Sequence, residues 1–106
     1  MITKKHFYVR NKNGVPVGCV FYNVFKTGEV TFGTASHNPI DKFDRQRMID
    51  IAMARSVGSG CEVIIMKPND RGGQIVRAIK MRIITRAFPH RIRRPLRDQR
   101  ATWDRD

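Results

Sequence analysis

Acidic side chains are scarce in this chain: nine Asp and Glu stand against 21 Lys and Arg in 106 residues, a formal charge of +12. Residues that build covalently or metal-held folds are scarce as well. The two cysteines, Cys19 and Cys61, have no CxxC partner and no histidine at metal-ligand spacing, which argues against zinc. Each lies in an apolar run ("GCVFYNVF", "GCEVIIM"), so small buried thiols are expected. No apolar run reaches the roughly 18 residues that a membrane-crossing helix needs. The opening "MITKKHFYVR" carries no signal-peptide apolar block. These absences predict a cytoplasmic protein with no membrane contact.

Catalytic signatures are missing too. His6, His37 and His90 are scattered, no Ser-centred nucleophile motif accompanies them, and there is no P-loop, GxGxxG or HExxH. His37, after Ser36, suggests only a loop. Asp41 and Asp44 share a stretch read below as helix, but Arg45 and Arg47 stand close to them, and helical ion pairs are the more economical reading. "NDRGGQ" would offer backbone N–H groups to a phosphate at a helix start, although a plain turn explains it more simply. No enzymatic activity, cofactor or metal is predicted.

What the chain does have is positive charge, unevenly spread. Residues 1–40 carry five basic and one acidic side chain, residues 41–66 carry four of each, and residues 67–106 carry twelve against four. The last third therefore holds +8 of the +12, and a localised basic face predicts a polyanionic partner. Arginine dominates there, and its planar fork binds phosphate bidentately and stacks on bases.

The rest reads as a single α+β domain, an antiparallel β-meander of three to four strands packed by two helices. A domain of this length hides about 60–68% of its unfolded surface, enough for a modest core. "FYV" and "VPVGCVFYNVF" are strand-like, with "NKNG" as the turn between them, and "KTGE" separates the second from "VTFGTA". The second strand is apolar on both faces, which predicts an interior strand covered on both sides, with Pro16 at its start. In "NPIDKFDRQRMIDIAMAR" Asn38 reads as an N-cap, Pro39 as the first helical residue and Asp41 as a first-turn carboxylate. Ile40, Phe43, Ile51 and Ala54 fall on one side, widened by Met48 and Ala52, and Gly58 and Gly60 close the helix. Asp44 and Arg47 would pair where this helix meets the sheet; alternatively Arg45, Arg47 and Arg55 would reach past the sheet edge to an anion.

"CEVIIMKP" reads as a fourth strand. Residues 74–88 are ambiguous: Ile75, Val76, Ile79, Ile83 and Ala87 make a helical stripe, while "IKMRI" alternates like a strand, and the length of the run favours a helix. Met81, Ile84 and Phe88 would then form a second apolar face open to a homodimer partner. The domain is expected to span 1–88. Residues 89–106, with two prolines and six arginines in "PHRIRRPLRDQRATWDRD", would be an arm that is extended or disordered alone and orders on a partner. Candidate anion contacts are Arg77, Lys80, Arg82 and Arg86 in the run before it, and Arg91, Arg93, Arg94, Arg97 and Arg100 within it. Trp103 would either stack on a base or pin the tail to the body.

The stretch "NGVPVG", then "EVTFGTASHNPIDKF", then Arg45 and "IAMAR", resembles a group of small phage-encoded proteins in which a β-meander runs into a Pro-x-Asp-x-Phe-x-Arg helix start and an Ile-Ala-x-x-Arg helix end. The matching positions are Gly14, Gly18, Gly33, Asn38, Pro39, Asp41, Phe43, Arg45, Ile51, Ala52 and Arg55, within residues 9–57. Met48-Ile49 stands where the group's pattern has Gly-Arg. The resemblance implies an accessory protein of the host-cell cytoplasm that antagonises a host system, in takeover or counter-defence, and implies no catalytic site. The expected function is non-catalytic binding of a phosphate-bearing ligand, foremost nucleic acid. The alternatives are inhibition of a host protein with an acidic surface, and sequestration of a nucleotide signal.

Overall fold

Two short turns set up the sheet. In the first, Asn11 Oδ1 accepts the backbone N–H groups of Asn13 (2.9 Å) and Val15 (3.0 Å), an Asx turn that folds strand β1 (Ile2–Arg10) back along β2 (Pro16–Phe25). In the second, the Gly28 N–H reaches the Phe25 carbonyl at 3.0 Å, and β2 leads into β3 (Glu29–Ser36). The computed structural model describes residues 2–37, 44–58, 61–67 and 72–100. Within them the strands run β1-β2-β3-β4 in space, β4 being Glu62–Ile65, and all three pairings are antiparallel. The helices are α1 (Arg45–Arg55), α2 (Gly72–Thr85) and α3 (His90–Asp98). The predicted α+β meander is therefore present with four strands, and with one helix more than expected.

Side chains alternate across the sheet, so β2 feeds two separate cores. Val20 and Tyr22 join Val30, Phe32 and Ile64 beneath α2 and α3; Cys19 and Phe21 join Ala35 beneath Met48 and Ala52 of α1. This is the interior, doubly covered strand that its unbroken apolar run predicts. Two glycines permit the layering. A Cβ on Gly33 would overlap the α1 backbone at Ala52, Arg55 and Ser56, and one on Gly18 would meet Ile92 Cγ1 of α3 at 3.0 Å.

Helix α1 starts later than its opening sequence suggests. Asp44 is the N-cap, its Oδ1 accepting the Arg47 N–H at 3.1 Å. The expected Asp44–Arg47 side-chain pair is thus a carboxylate-to-backbone cap, which satisfies one of the helix's orphan donors. Asn38, Pro39, Ile40, Asp41 and Phe43 lie outside the described residues. Ala54, expected inward, is exposed, while Met48 and Ala52 are buried. The helix ends at Ser56, whose Oγ donates to the Met53 carbonyl (2.6 Å) and accepts from Asn23 Nδ2 (3.0 Å). Asn23 also donates to Thr31 Oγ1 at 3.2 Å, so these buried polar groups satisfy one another.

Residues 72–85 are helix, which settles the helix-or-strand ambiguity over 74–85: Ile75, Ile79 and Ile83, spaced by four, are buried on the sheet. Ala87 is exposed beyond the helix end. Ile84 and Phe88 pack against the same core, Phe88 stacking on Phe32 with centroids 5.9 Å apart, so much of the expected dimer face is used within the chain. Among the described residues the large exposed hydrophobics are elsewhere, at Val15, Met53, Val57, Val63 and Ile65.

The segment expected to be an extended arm forms α3 over residues 90–98. Ile92 and Leu96, one turn apart, are 0% and 3% exposed and belong to the core shared by β1, β2 and α2. Burial of two large aliphatics contributes up to about 3–6 kcal/mol toward ordering a segment that composition alone marks as unstructured. The folded unit therefore continues past Phe88 through α3. Residues 101–106, with Trp103, lie outside the described residues.

Candidate nucleic-acid interface

Because α2 and α3 bury their apolar stripes on one sheet face, their cations share one outer layer. On α3, Ile92 and Leu96 point inward, and the 100° step per residue turns Arg91, Arg94 and Arg97 toward solvent. All three are exposed, as are Arg100, Arg86 and, on α2, Arg77. Arg93 is half-buried at the α2–α3 corner, where its Nη1 donates to the Arg86 carbonyl at 3.4 Å. Lys80 and Arg82 splay to opposite sides of α2. The Lys80 ammonium lies 5.7 Å from the Phe7 ring on β1, and Arg82 Nη1 lies 3.7 Å from Glu62 on β4. The expected girdle on α2 thus places Arg77 outward and the other two over flanking strands.

The described carboxylates that meet these cations are Glu62 and Asp98. Arg94 Nε lies 3.9 Å from Asp98 Oδ2, but both side chains are about two-thirds exposed. Exposed pairs of this kind are worth only about 0.2–1 kcal/mol, so Arg94 can exchange its carboxylate for a phosphate at little cost. Arg82, half-buried against Glu62, is committed to its own chain.

The secondary candidates Arg45, Arg47 and Arg55 are on α1, across the sheet from this layer. Arg55 Nη1 donates to the Thr34 carbonyl at 3.0 Å. Arg47 is exposed, and Arg45 sits 5.5 Å over the Tyr8 ring. Arg55 also borders an open cleft of ≈ 380 Å³, shared with Phe32, Gly33, Cys61, Glu62 and Phe88.

The Tyr8 surroundings were missed by sequence reasoning. Arg10 and Arg45 both approach this ring, at 5.8 and 5.5 Å, and His6 meets it edge-on at 5.6 Å. The alternation Lys4, His6, Tyr8, Arg10 was the available signal for a one-sided polar row; the approach of Arg45 is tertiary and has none.

Among the described residues no three His, Cys, Asp or Glu side chains converge as metal ligands would, and no helix is long and apolar enough to cross a membrane. Burial pushes the Cys19 thiol up to about 11, which keeps it protonated and unreactive, while Cys61 is half-buried. Compared with protein-family profiles, curated proteins and solved structures, the chain matches none.

Proposed function

We propose that this protein binds nucleic acid without catalysis, through the outer surface of α2 and α3. One observation carries the reading: α3 is fastened to the sheet by Ile92 and Leu96, so Arg91, Arg94 and Arg97 project from a rigid backbone rather than a loose tail. Fixed guanidiniums lose less entropy on meeting phosphates than a disordered arm does. Binding would be driven by release of condensed counterions. If the exposed Arg77, Arg86, Arg91, Arg94, Arg97 and Arg100 each meet one phosphate, log K on duplex DNA falls with log salt at a slope of about −5. The phage-accessory role implied by the resemblance over residues 9–57 is a setting for such binding and adds no residue to it.

Mobility shift with DNA and RNA over a salt series tests this directly, alongside an Arg91→Gln/Arg94→Gln/Arg97→Gln variant. The expected result is a slope reduced by about 3 on duplex DNA, one unit per lost phosphate contact. Failure of the wild type to retain either nucleic acid at low salt ends the proposal. A nucleotide-binding reading has one observation of its own, the cleft beside Arg55. A thermal shift with nucleotides that disappears in Arg55→Gln would favour it.

A further inference from the structure

We propose that the α1-facing side of β1 holds the phosphates of a single-stranded nucleic acid, with Arg10 and Arg45 poised on the Tyr8 ring as the contacts. The inference rests on the nucleic-acid reading above and specifies the form of the partner.

Lys4, His6 and Tyr8 alternate along β1 and therefore share a face; the register shifts between Val9 and Arg10, and the Arg10 guanidinium over the Tyr8 ring places it on the same side. Tyr8 pairs with Cys19 and His6 with Phe21, both of which point toward α1, so the row lies on that side. Helix α1 covers β2 and β3 and leaves the row open: Lys4, His6 and Arg10 are exposed and Tyr8 is half-buried. The row lies across the sheet from the α2–α3 layer.

Two guanidiniums within 6 Å of one ring centroid repel each other, and each is drawn to the ring's negative face. Their centres are at most about 11 Å apart. Arg10 Nη1 is tied to the Gly14 carbonyl at 2.9 Å. The ion pairs seen among the described residues, Arg82–Glu62 and Arg94–Asp98, include neither arginine. The nearest α1 carboxylates are otherwise occupied, Asp44 in capping the helix and Asp50 in accepting from Gln46 Nε2 at 2.8 Å. Two exposed cations gathered on one ring with no described counter-charge are complementary to a polyanion.

The exposure of alternate side chains along one strand selects the strand form. From Lys4 to Arg10 the row runs about 20 Å at ~3.3 Å per residue, with Lys4, His6 and Arg10 exposed along it. An extended single strand can lie along it and place a base on the exposed His6 ring, whereas the bases of a duplex stay stacked on one another.

Fluorescence anisotropy with a short labelled oligonucleotide, single-stranded and as its duplex, tests the assignment at several salt concentrations. In Arg10→Gln/Arg45→Gln, single-strand affinity is expected to fall about tenfold or more, and the salt slope by about 1.4, while duplex affinity holds. Arg45→Gln alone, which leaves the Arg10–Gly14 turn contact intact, is expected to lower the slope by about 0.7. Tyr8→Phe should bind as wild type, because the ring is what orders the cations. Wild-type single-strand affinity and slope in the double variant overturn the assignment, as does an equal loss on single strand and duplex. If the α3 triple variant abolishes binding while the β1 variants do not, the function proposed above survives and this site does not. A wild type that binds neither form overturns both.

Discussion

Replacing Ile92 with alanine asks whether α3 is a wall of the core or a passenger on its surface. The side chain is 0% exposed, and its Cγ1 would touch a Cβ placed on Gly18. The substitution removes three carbons, a transfer loss of about 2.4 kcal/mol at ~0.8 kcal/mol per group. The vacancy adds to this, because Gly18 has no side chain to lean into it, so the total should fall in the range of about 3–5 kcal/mol. For a domain of this size, whose whole stability is about 5–15 kcal/mol, that is a large share. Urea unfolding followed by circular dichroism should show the midpoint falling by about 1–3 M with m unchanged. Arg94→Gln, on the opposite side of the same helix, should leave the midpoint in place and serves as the control. A midpoint for Ile92→Ala indistinguishable from wild type would refute the packing argument and return residues 90–98 to the disordered arm that their composition suggests. The same reasoning makes truncation after Phe88 a stability experiment and not a clean removal of charge.

Three further outcomes are expected. Gly33→Ala forces α1 off the sheet at Ala52, Arg55 and Ser56 and should cost about 1–3 kcal/mol or more in the same unfolding assay, whereas Ala at the open Gly73 position should cost far less. Asn23→Leu leaves the Ser56 hydroxyl and Thr31 without their shared donor and should destabilise by about 1–3 kcal/mol; a neutral result would mean that the buried polar cluster is dispensable. The Cys19 thiol, pushed up by burial from 9.0 to about 11, stays protonated in the fold after the unfolded chain has released its proton. Stability should therefore be intact below about pH 9 and fall progressively toward pH 11, with Tyr22, also raised by burial, pulling the same way. In Cys19→Ala the Cys19 part of that alkaline loss should vanish.

Much of the sheet could be read from local chemistry. "NKNG" and "KTGE" are turns because Asn11 and Gly28 act within a few residues of themselves, and β2 is interior because both of its faces are apolar. Helix α1 is capped at Asp44, and local preference does not rank Asp44 above Asn38, six residues earlier and outside the described residues. For α3 the deciding fact is tertiary. Ile92 and Leu96 are two aliphatics among arginines and prolines, and packing on the sheet turns them into core, Ile92 against the side-chain-free surface at Gly18. The candidate cations were legible as a charge excess but their grouping was not: Arg77 and Arg97 share a layer because two helices happen to cover one face, and Arg45 faces Tyr8 because α1 crosses the other.

Strand β4 is half the length of β3. It borders β3 only from Glu29 to Phe32, and beyond that point the Arg55 guanidinium, hooked onto the Thr34 carbonyl, takes the place of a neighbouring strand. Among the described residues no strand borders this part of β3 on its β4 side, and one long side chain bonds to its rim. Swinging it aside would offer that rim to an extended segment, including the same strand of another molecule, and Arg55 would then act as a bolt against self-templating.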